Sequence, residues 1–201
     1  MLQVTTTPTD VTPMDVQIID CSGFQAETMD LFLAPGPNPY REIEAFLLDC
    51  EMRADEMPRS VRRSLLEFQV RSNAEGVLLL RGLPIDPGLY RTQTPLDGKR
   101  SSHKTTYVSE RCLAMVGSRL GHLVSYIQEK SGDLFQHLSP MKGSERVQSS
   151  GGSQTRLQFH RETVFHPYPP EFLLLFLSAS RPRSDRRNHL RQHHPRPAAL
   201  I

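Results

Sequence analysis

A histidine and a carboxylate stand two residues apart in the stretch 157–170, which is otherwise rich in apolar and aromatic residues. If this stretch is a strand, alternate side chains point to opposite faces, so His160 and Glu162 share one face. An imidazole and a carboxylate placed in this way supply two facial ligands to a metal ion. They are most of the set of two histidines and one carboxylate that holds non-haem Fe(II). The stretch therefore predicts a metal site that still needs a second histidine from elsewhere.

Hydrophobic periodicity and turn residues predict the elements that position this motif. Helices are expected from about residue 40, where apolar residues form one stripe, and from about Pro58, which suits a first helical turn. A third helix is expected over 109–120, with Ser109 as its cap. Besides the His-x-Glu strand, further strands are expected at 16–19, 76–84, 122–127, 134–138 and 171–176.

Length and composition indicate one ordinary domain. A chain of 201 residues is long enough for a substantial core. It contains no apolar run of about 18 residues, so a membrane span is not expected. The first 20 residues are acidic and rich in Thr and Pro, unlike a signal peptide. Cys21, Cys50 and Cys112 lack metal-ligand spacing, so we expect buried, reduced thiols and a cytoplasmic location.

The positive charge of the chain is concentrated in its last 25 residues. The net charge is +2, but segment 177–201 holds six arginines and one aspartate. Without that segment, 18 basic and 21 acidic residues remain in 1–176. Residues 1–176 therefore lack the excess of positive charge that is typical of nucleic-acid-binding proteins, and no specific nucleic-acid partner is expected.

Three blocks of the sequence carry a resemblance to a known family. They are 121–136 with Gln128-Glu129 and Gly132, then 148–150, and then Phe159-His160-x-Glu162-x-x-Phe165-His166-Pro167. Together they resemble the clavaminate synthase-like oxygenases, which use Fe(II) and 2-oxoglutarate to oxidise amino acids in antibiotic biosynthesis. This group is related to asparagine and arginine oxygenases and, more distantly, to taurine dioxygenase. The resemblance covers roughly residues 40–176.

The resemblance implies a fold, cofactors and roles for particular residues. The fold would be α+β, a double-stranded β-helix (jelly roll) with flanking helices. His160, Glu162 and a distal histidine would hold Fe(II), with 2-oxoglutarate as cosubstrate and an arginine binding its far carboxylate. Glu129 would bind the amino group of a free amino-acid substrate, and Ser149 would contact substrate or cosubstrate. The other reactant would be O2, and no membrane partner is implied.

The last segment departs from the family. In the family the sheet continues past the strand at 171–176, and the distal histidine and the arginine lie far downstream. Here 177–201 is crowded with Arg, His, Pro and Ser, a composition typical of disorder or of a shifted reading frame. We therefore expect a flexible leader at 1–17, a partial oxygenase domain at 18–176 that is incomplete at its C-terminus, and an unrelated basic tail at 177–201.

Other interpretations of the same residues stay open. A non-catalytic interaction protein derived from the oxygenase fold is one alternative, and a nucleic-acid binder that uses the basic tail is another. Among the remaining histidines, His166 is expected to have a structural role in the proline turn. His122 and His137 are expected to be ordinary strand histidines, and those of the tail, His189, His193 and His194, to be solvated.

Overall fold

The structure is a computed structural model that describes residues 16–86, 104–138, 143–147, 152, 154, 162–163, 165–177 and the backbone of 198–200. Helices and strands alternate irregularly along the described chain. In order they are β1 (Gln17–Asp20), α1 (Ala26–Leu33), α2 (Ile43–Asp55), α3 (Arg59–Arg71), β2 (Leu78–Arg81), α4 (Val108–Ser118), a 3-10 turn (Lys130–Gly132), β3 (Leu175–Leu177) and β4 (Ala198–Leu200).

The four strands form one mixed sheet in the order β1-β2-β4-β3. Strands β1 and β2 are parallel, with Ile19 opposite Leu80, and β4 is antiparallel to both β2 and β3. Partners across a ladder lie on the same face of a sheet. Ile19, Leu80 and Phe176 therefore share the inner face, which packs against the hydrophobic core. We call the opposite side the outer face.

Helix α4 lies at the centre of the packing. It contacts α1, α2 and β3, and Cys112, Met115 and Val116 on it are almost completely buried. Arg111 on the same helix is also buried and donates a 2.7 Å hydrogen bond to the carbonyl of Phe32 in α1. The helix therefore holds the N-terminal helices against the sheet.

The helices predicted from periodicity are present with small shifts of their ends. Helix α2 begins at Ile43 rather than near residue 40, α3 follows Pro58 directly, and α4 covers Val108–Ser118 rather than 109–120. The strands predicted at 16–19 and 76–84 are confirmed as β1 and β2. The strand predicted at 171–176 is shorter and ends one residue later, as β3. Helix α1 was not predicted.

The strands predicted at 122–127 and 134–138 are wrong, since the structure has no strand in either segment. Leu123 and Phe135 contact helices instead of pairing in a ladder. Leu123 lies against Gly117 of α4, where a β-carbon would be 2.5 Å from its Cδ2 atom. Phe135 packs edge-to-face on Phe46 of α2, with ring centroids 5.7 Å apart. Burial against helices fixes these residues without strand pairing.

The N-terminus of α4 is capped by a side chain from a distant loop. We predicted Ser109 as the cap, but Ser109 lies inside the first turn. Asp86 instead accepts hydrogen bonds from the backbone N–H groups of Val108, at 2.8 Å, and Ser109, at 3.1 Å. Burial acts to raise the pKa of Asp86, but hydrogen bonds from Thr106 and Ser109 and the charge of Lys104 outweigh it and lower that pKa.

Lys104 is the centre of a buried polar network. Its ammonium lies 3.2 Å from Asp86 and 2.5 Å from Glu110, and all three side chains are at most 4% exposed. It also donates to the hydroxyl of Ser109. Glu110 in turn accepts a 2.8 Å hydrogen bond from the hydroxyl of Tyr40. The network ties Asp86, which follows β2, and Lys104, which precedes α4, to Glu110 of α4 through buried charge pairs.

The three cysteines are buried and free, as predicted. Burial raises the pKa of the Cys21 thiol and of the Cys50 thiol to about 12 and holds the pKa of Cys112 well above its usual value. All three are therefore protonated at neutral pH. Within the described residues, no helix is long and apolar enough to cross a membrane.

Gly82 closes the junction between β2 and the end of β1. Its φ is +87°, and a methyl group on it would lie 2.7 Å from the backbone nitrogen of Ser22. We expect Gly82→Ala to lower the free energy of unfolding by about 2–4 kcal/mol, because it combines a strained backbone with a clash. Urea unfolding followed by circular dichroism measures this. Gly23→Ala is the control, since nothing lies within 4 Å of its added carbon, and equal stability of the two variants would contradict the prediction.

Candidate functional site

Two of the predicted site residues belong to the described chain and two do not. Glu129 and Glu162 are described and are both exposed. His160, the predicted metal ligand, and Ser149, the predicted substrate contact, lie outside the described residues. The roles of all four residues stay predictions. The geometry of the site is therefore built from Glu129, Glu162 and their surroundings.

A hydrogen bond from Thr163 links the predicted metal motif to Glu129, the residue predicted to bind the substrate. Thr163 follows Glu162 directly, and its hydroxyl donates a 3.3 Å hydrogen bond to Oε1 of Glu129. The contact brings together residues 34 positions apart in the sequence. Glu162 is the predicted metal ligand, and Glu129 is predicted to bind an amino group. Their two turns are therefore joined through the hydrogen bond of Thr163.

The backbone at Glu162 and Thr163 is a turn, whereas the sequence predicted a strand through Glu162. Thr163 has a φ of +47°, and its carbonyl accepts a 3.0 Å hydrogen bond from the N–H of His166. A positive φ is uncommon for a β-branched residue, and such residues concentrate at functional sites. The residues 157–161 lie outside the described chain, so the predicted common face of His160 and Glu162 stays a prediction.

Two successive tight turns hold Glu129 in place. Its N–H donates a 2.9 Å hydrogen bond to the carbonyl of Tyr126, and its carbonyl accepts one of 2.9 Å from Gly132. Ser131 and Gly132 both have positive φ values, of 60° and 82°.

A shallow cleft of about 350 Å³ lies beside these turns. It is lined by backbone and side chains of residues 124–128 and by His166 and Tyr168. The hydroxyl of Tyr126 donates a 2.7 Å hydrogen bond to the carbonyl of Tyr168, and the rings of Tyr126 and His166 are 4.5 Å apart. The cleft is thus built from the segment before Glu129 and the segment after Glu162.

His166 is a turn residue, in agreement with the sequence prediction. Its Nδ1 accepts a 3.1 Å hydrogen bond from the backbone N–H of Tyr168. His137 also has a local role, because its Nε2 lies 2.6 Å from the Tyr40 hydroxyl and 3.5 Å from Glu110. His122 is exposed and lies in no strand. In their described positions, His137 and His166 are therefore engaged by structural partners.

The residues present fit part of an iron site. A carboxylate oxygen and an imidazole two residues apart are suitable donors for Fe(II), and Glu162 is exposed on a turn. Among the described residues, no group of three His, Cys, Asp or Glu side chains is arranged to hold a metal. His160 and Glu162 would supply two members of a facial triad.

Sequence reasoning missed the polar network around Lys104 and the role of Thr163. The signal for the network was Glu110-Arg111, a charged pair in an otherwise apolar helix, since charged residues are seldom buried without partners. No pattern of the sequence pointed to Thr163. Its importance follows from a contact between two turns, which the sequence alone does not bring together.

No family model matches the sequence, but its fold is similar to solved structures. One is asparagine oxygenase in complex with Fe(II), 2S,3S-3-hydroxyasparagine and succinate. The TM-score is 0.64 at 25% sequence identity, over 80% of this chain and 50% of that one. The chain is thus a homologue of the non-haem iron oxygenases.

Two curated relatives are similar to this chain in sequence. The chain is 32% identical to clavaminate synthase 2 of Streptomyces clavuligerus over 176 residues, which are 85% of this chain and 51% of the relative. It is 34% identical to L-asparagine oxygenase of Streptomyces coelicolor over 118 residues, 59% of this chain and 34% of that one. The resemblance to clavaminate synthase-like oxygenases is confirmed. The chain spans about half the length, or less, of the relatives it matches.

Proposed function

We propose that this chain carries part of an Fe(II)/2-oxoglutarate-dependent oxygenase that acts on a free amino acid or a derivative of one. The hydrogen bond between Thr163 and Glu129 is the observation that supports it best. It joins the predicted metal motif to the residue predicted to bind an amino group. The similarity to clavaminate synthase 2 and L-asparagine oxygenase gives the reaction type.

The proposed roles follow from the chemistry of each side chain. His160 and Glu162 would hold Fe(II), which with 2-oxoglutarate and O2 supplies the oxidation: one oxygen atom enters succinate, released with CO2, and the other enters the product. Glu129 would pair with the ammonium of the substrate, which its negative charge favours. Thr163 would orient that carboxylate by occupying one of its oxygens. Ser149 would contact substrate or cosubstrate.

The same proposal covers the fold and the location of the protein. The described sheet and helices would belong to a double-stranded β-helix (jelly roll) with flanking helices, with domain limits near residues 17 and 176. β1 begins at Gln17 and β3 ends at Leu177, each within one residue of these limits. A cytoplasmic location suits an enzyme with three free thiols.

A non-catalytic interaction protein is the second candidate. It is the alternative that the sequence left open, since the oxygenase fold can also serve binding alone. In that case the helices and sheet would serve only as a binding surface. The two candidates differ in whether succinate is released from 2-oxoglutarate.

Succinate release is the direct test of the oxygenase proposal. The chain is incubated with Fe(II), 2-oxoglutarate and L-asparagine, L-arginine or L-lysine, and succinate is quantified by mass spectrometry. We expect His160→Ala to lower succinate at least about 100-fold, because removing a metal ligand removes the reaction centre. His122→Ala, an exposed histidine outside the site, is expected to leave it unchanged. Absence of succinate above the metal-free blank would favour the interaction protein.

A further inference from the structure

Helices α2 and α3 both carry apolar side chains on the side that faces away from the core. On α2, Leu48 and Met52 are 62% and 63% exposed, and on α3, Leu66 and Val70 are 56% and 69% exposed. Residues four apart are neighbours on the surface of a helix, so each pair forms one apolar patch. The outward face of a surface helix is usually polar. Two helices that depart from this rule in the same way are candidates for a binding surface.

The two helices have opposite charges. Helix α2 contains four acidic residues and one arginine, a net charge of −3, whereas α3 contains four arginines and one glutamate, a net charge of +3. The exposed charges that lie three or four positions from the apolar pairs, or one turn further along, are Glu44, Glu51 and Asp55 on α2 and Arg59, Arg62 and Arg63 on α3. One patch is therefore bordered by negative charge and the other mainly by positive charge.

Ion pairs within the chain leave these charges available to a partner. Arg119 lies 2.6 Å from Asp55, and Arg63 lies 2.8 Å from Glu67. In each pair the carboxylate is more than half exposed, and ion pairs at a surface contribute little to stability. Helix α2 packs mainly against α4. Its apolar patch stays exposed, so α3 of the same chain does not cover it.

We propose that this chain forms a homodimer in which α2 of one copy packs against α3 of its partner. The apolar patches would meet at the centre of the contact, and the acids of α2 would face the arginines of α3. Complementary charge favours this pairing, whereas α2 against α2 would place a charge of −3 against a charge of −3. In a two-fold arrangement the contact forms twice, because both helices of each copy take part. The dimer goes beyond the proposed activity and does not depend on it.

The size of the two helices sets the strength expected of the dimer. Each has 13 residues and is therefore about 20 Å long. Two contacts of this length give a small interface, so we expect a reversible dimer with a dissociation constant on the order of 10 μM. Unfolding measured well below that concentration reports on the monomer, in which Leu48 and Arg63 are surface residues.

Analytical ultracentrifugation of the full chain between about 1 and 100 μM tests the proposal. We expect a monomer–dimer equilibrium that weakens as salt rises from about 50 to 500 mM, because the facing charges are exposed to solvent. The double variants Leu48→Lys/Met52→Lys and Leu66→Glu/Val70→Glu are each expected to weaken the dimer at least about 30-fold. Each of them places a charge in the apolar centre, opposite charges of the same sign on the partner.

Mixing the two double variants identifies which helices meet. The lysines on α2 of one variant would then face the glutamates on α3 of the other, and the second contact would keep its original residues. We expect the mixture to form a dimer with one copy of each variant, although each variant alone stays monomeric at the same concentration. A mixture that stays monomeric would contradict the pairing of α2 with α3.

A matched control separates this contact from general hydrophobicity. Leu175 and Leu177, on the outer face of the sheet, are 41% and 52% exposed, and Leu175→Lys/Leu177→Lys is expected to leave the dimer intact. Circular dichroism checks that each variant is folded, and the salt dependence of the parent chain needs no variant. A parent chain that is monomeric at 100 μM, a dimer that salt does not weaken, or an equal loss in the sheet control would overturn the proposal. Larger species that grow with concentration would contradict the two-fold arrangement.

Discussion

Replacing Lys104 by methionine is expected to lower the free energy of unfolding by about 3–5 kcal/mol, the cost typical of breaking a buried ion pair from one side. The ammonium of Lys104 is the cation between Asp86 and Glu110, whose side chains are 1% and 2% exposed. Methionine fills a similar volume but leaves two carboxylates buried together. Their desolvation is then no longer offset by an opposite charge.

Equilibrium urea unfolding of the variant and the parent chain measures this loss. Arg63→Met is the matched control, because the pair of Arg63 with Glu67 has the same type of partner on the surface, with the side chains 77% and 51% exposed. Surface pairs contribute little, so no measurable change is expected there. If Lys104→Met were no less stable than Arg63→Met, the network would not stabilise the fold.

Truncating Phe46 to alanine is expected to destabilise the chain by about 3–5 kcal/mol, the usual range for a buried aromatic side chain. Phe46 is completely buried, and its ring packs edge-to-face on Phe135, with centroids 5.7 Å apart. Phe135 belongs to the segment that leads away from the turn of Glu129. The substitution therefore opens a cavity and loosens the segment that follows the candidate site.

Thermal unfolding of Phe46→Ala, Phe135→Ala and the double variant separates the two effects. An aromatic pair in contact adds about 0.5–1.5 kcal/mol beyond its buried area, which appears as coupling in the cycle. Leu48→Ala on the same helix is the control, since Leu48 is 62% exposed and its loss should have little effect. Additive effects of Phe46 and Phe135 would show that the ring contact does not join the helix to the segment.

The helices were predictable because their buried positions recur every three to four residues. Phe46, Cys50 and Ala54 are four apart on α2, and Val61, Leu65 and Phe68 follow the same period on α3. Helix α1 was not predicted because it is only eight residues long and buries a single residue, Phe32. Its N-terminus also lacks a side-chain cap, so no local signal marks its beginning.

An apolar run in the sequence does not by itself identify a strand. Leu78 to Leu80 and Leu123 to Ile127 are similar in composition, yet only the first pairs with another strand. Whether an apolar segment forms a ladder depends on a partner of matching register, which is a tertiary property. The position of β4 between β2 and β3 is likewise a tertiary property. Nothing in the composition of 177–201 indicated a strand there.

The roles of the candidate site residues stay predictions, whereas the backbone geometry around Glu129 and Glu162 differs from the sequence expectation. His160, Glu162 and Glu129 were singled out from residue types, spacing and family resemblance, and the chain is 32% identical to clavaminate synthase 2 over 176 residues. The turn at Thr163 and the hydrogen bond it donates to Glu129 could not be foreseen. A positive φ at a threonine contradicts local preference, so only the surrounding structure can impose it.

The central position of α4 has a consequence for how the chain is synthesised. Helices α1 and α2 bury apolar faces against α4, which ends at Ser118, whereas α2 ends at Asp55. At about 5–20 residues per second, the ribosome takes on the order of 3–13 s to pass from the end of α2 to the end of α4. During that interval the face with Phe46 and Cys50 has no helix to cover it. The nascent chain is then a substrate for chaperones that bind exposed apolar segments.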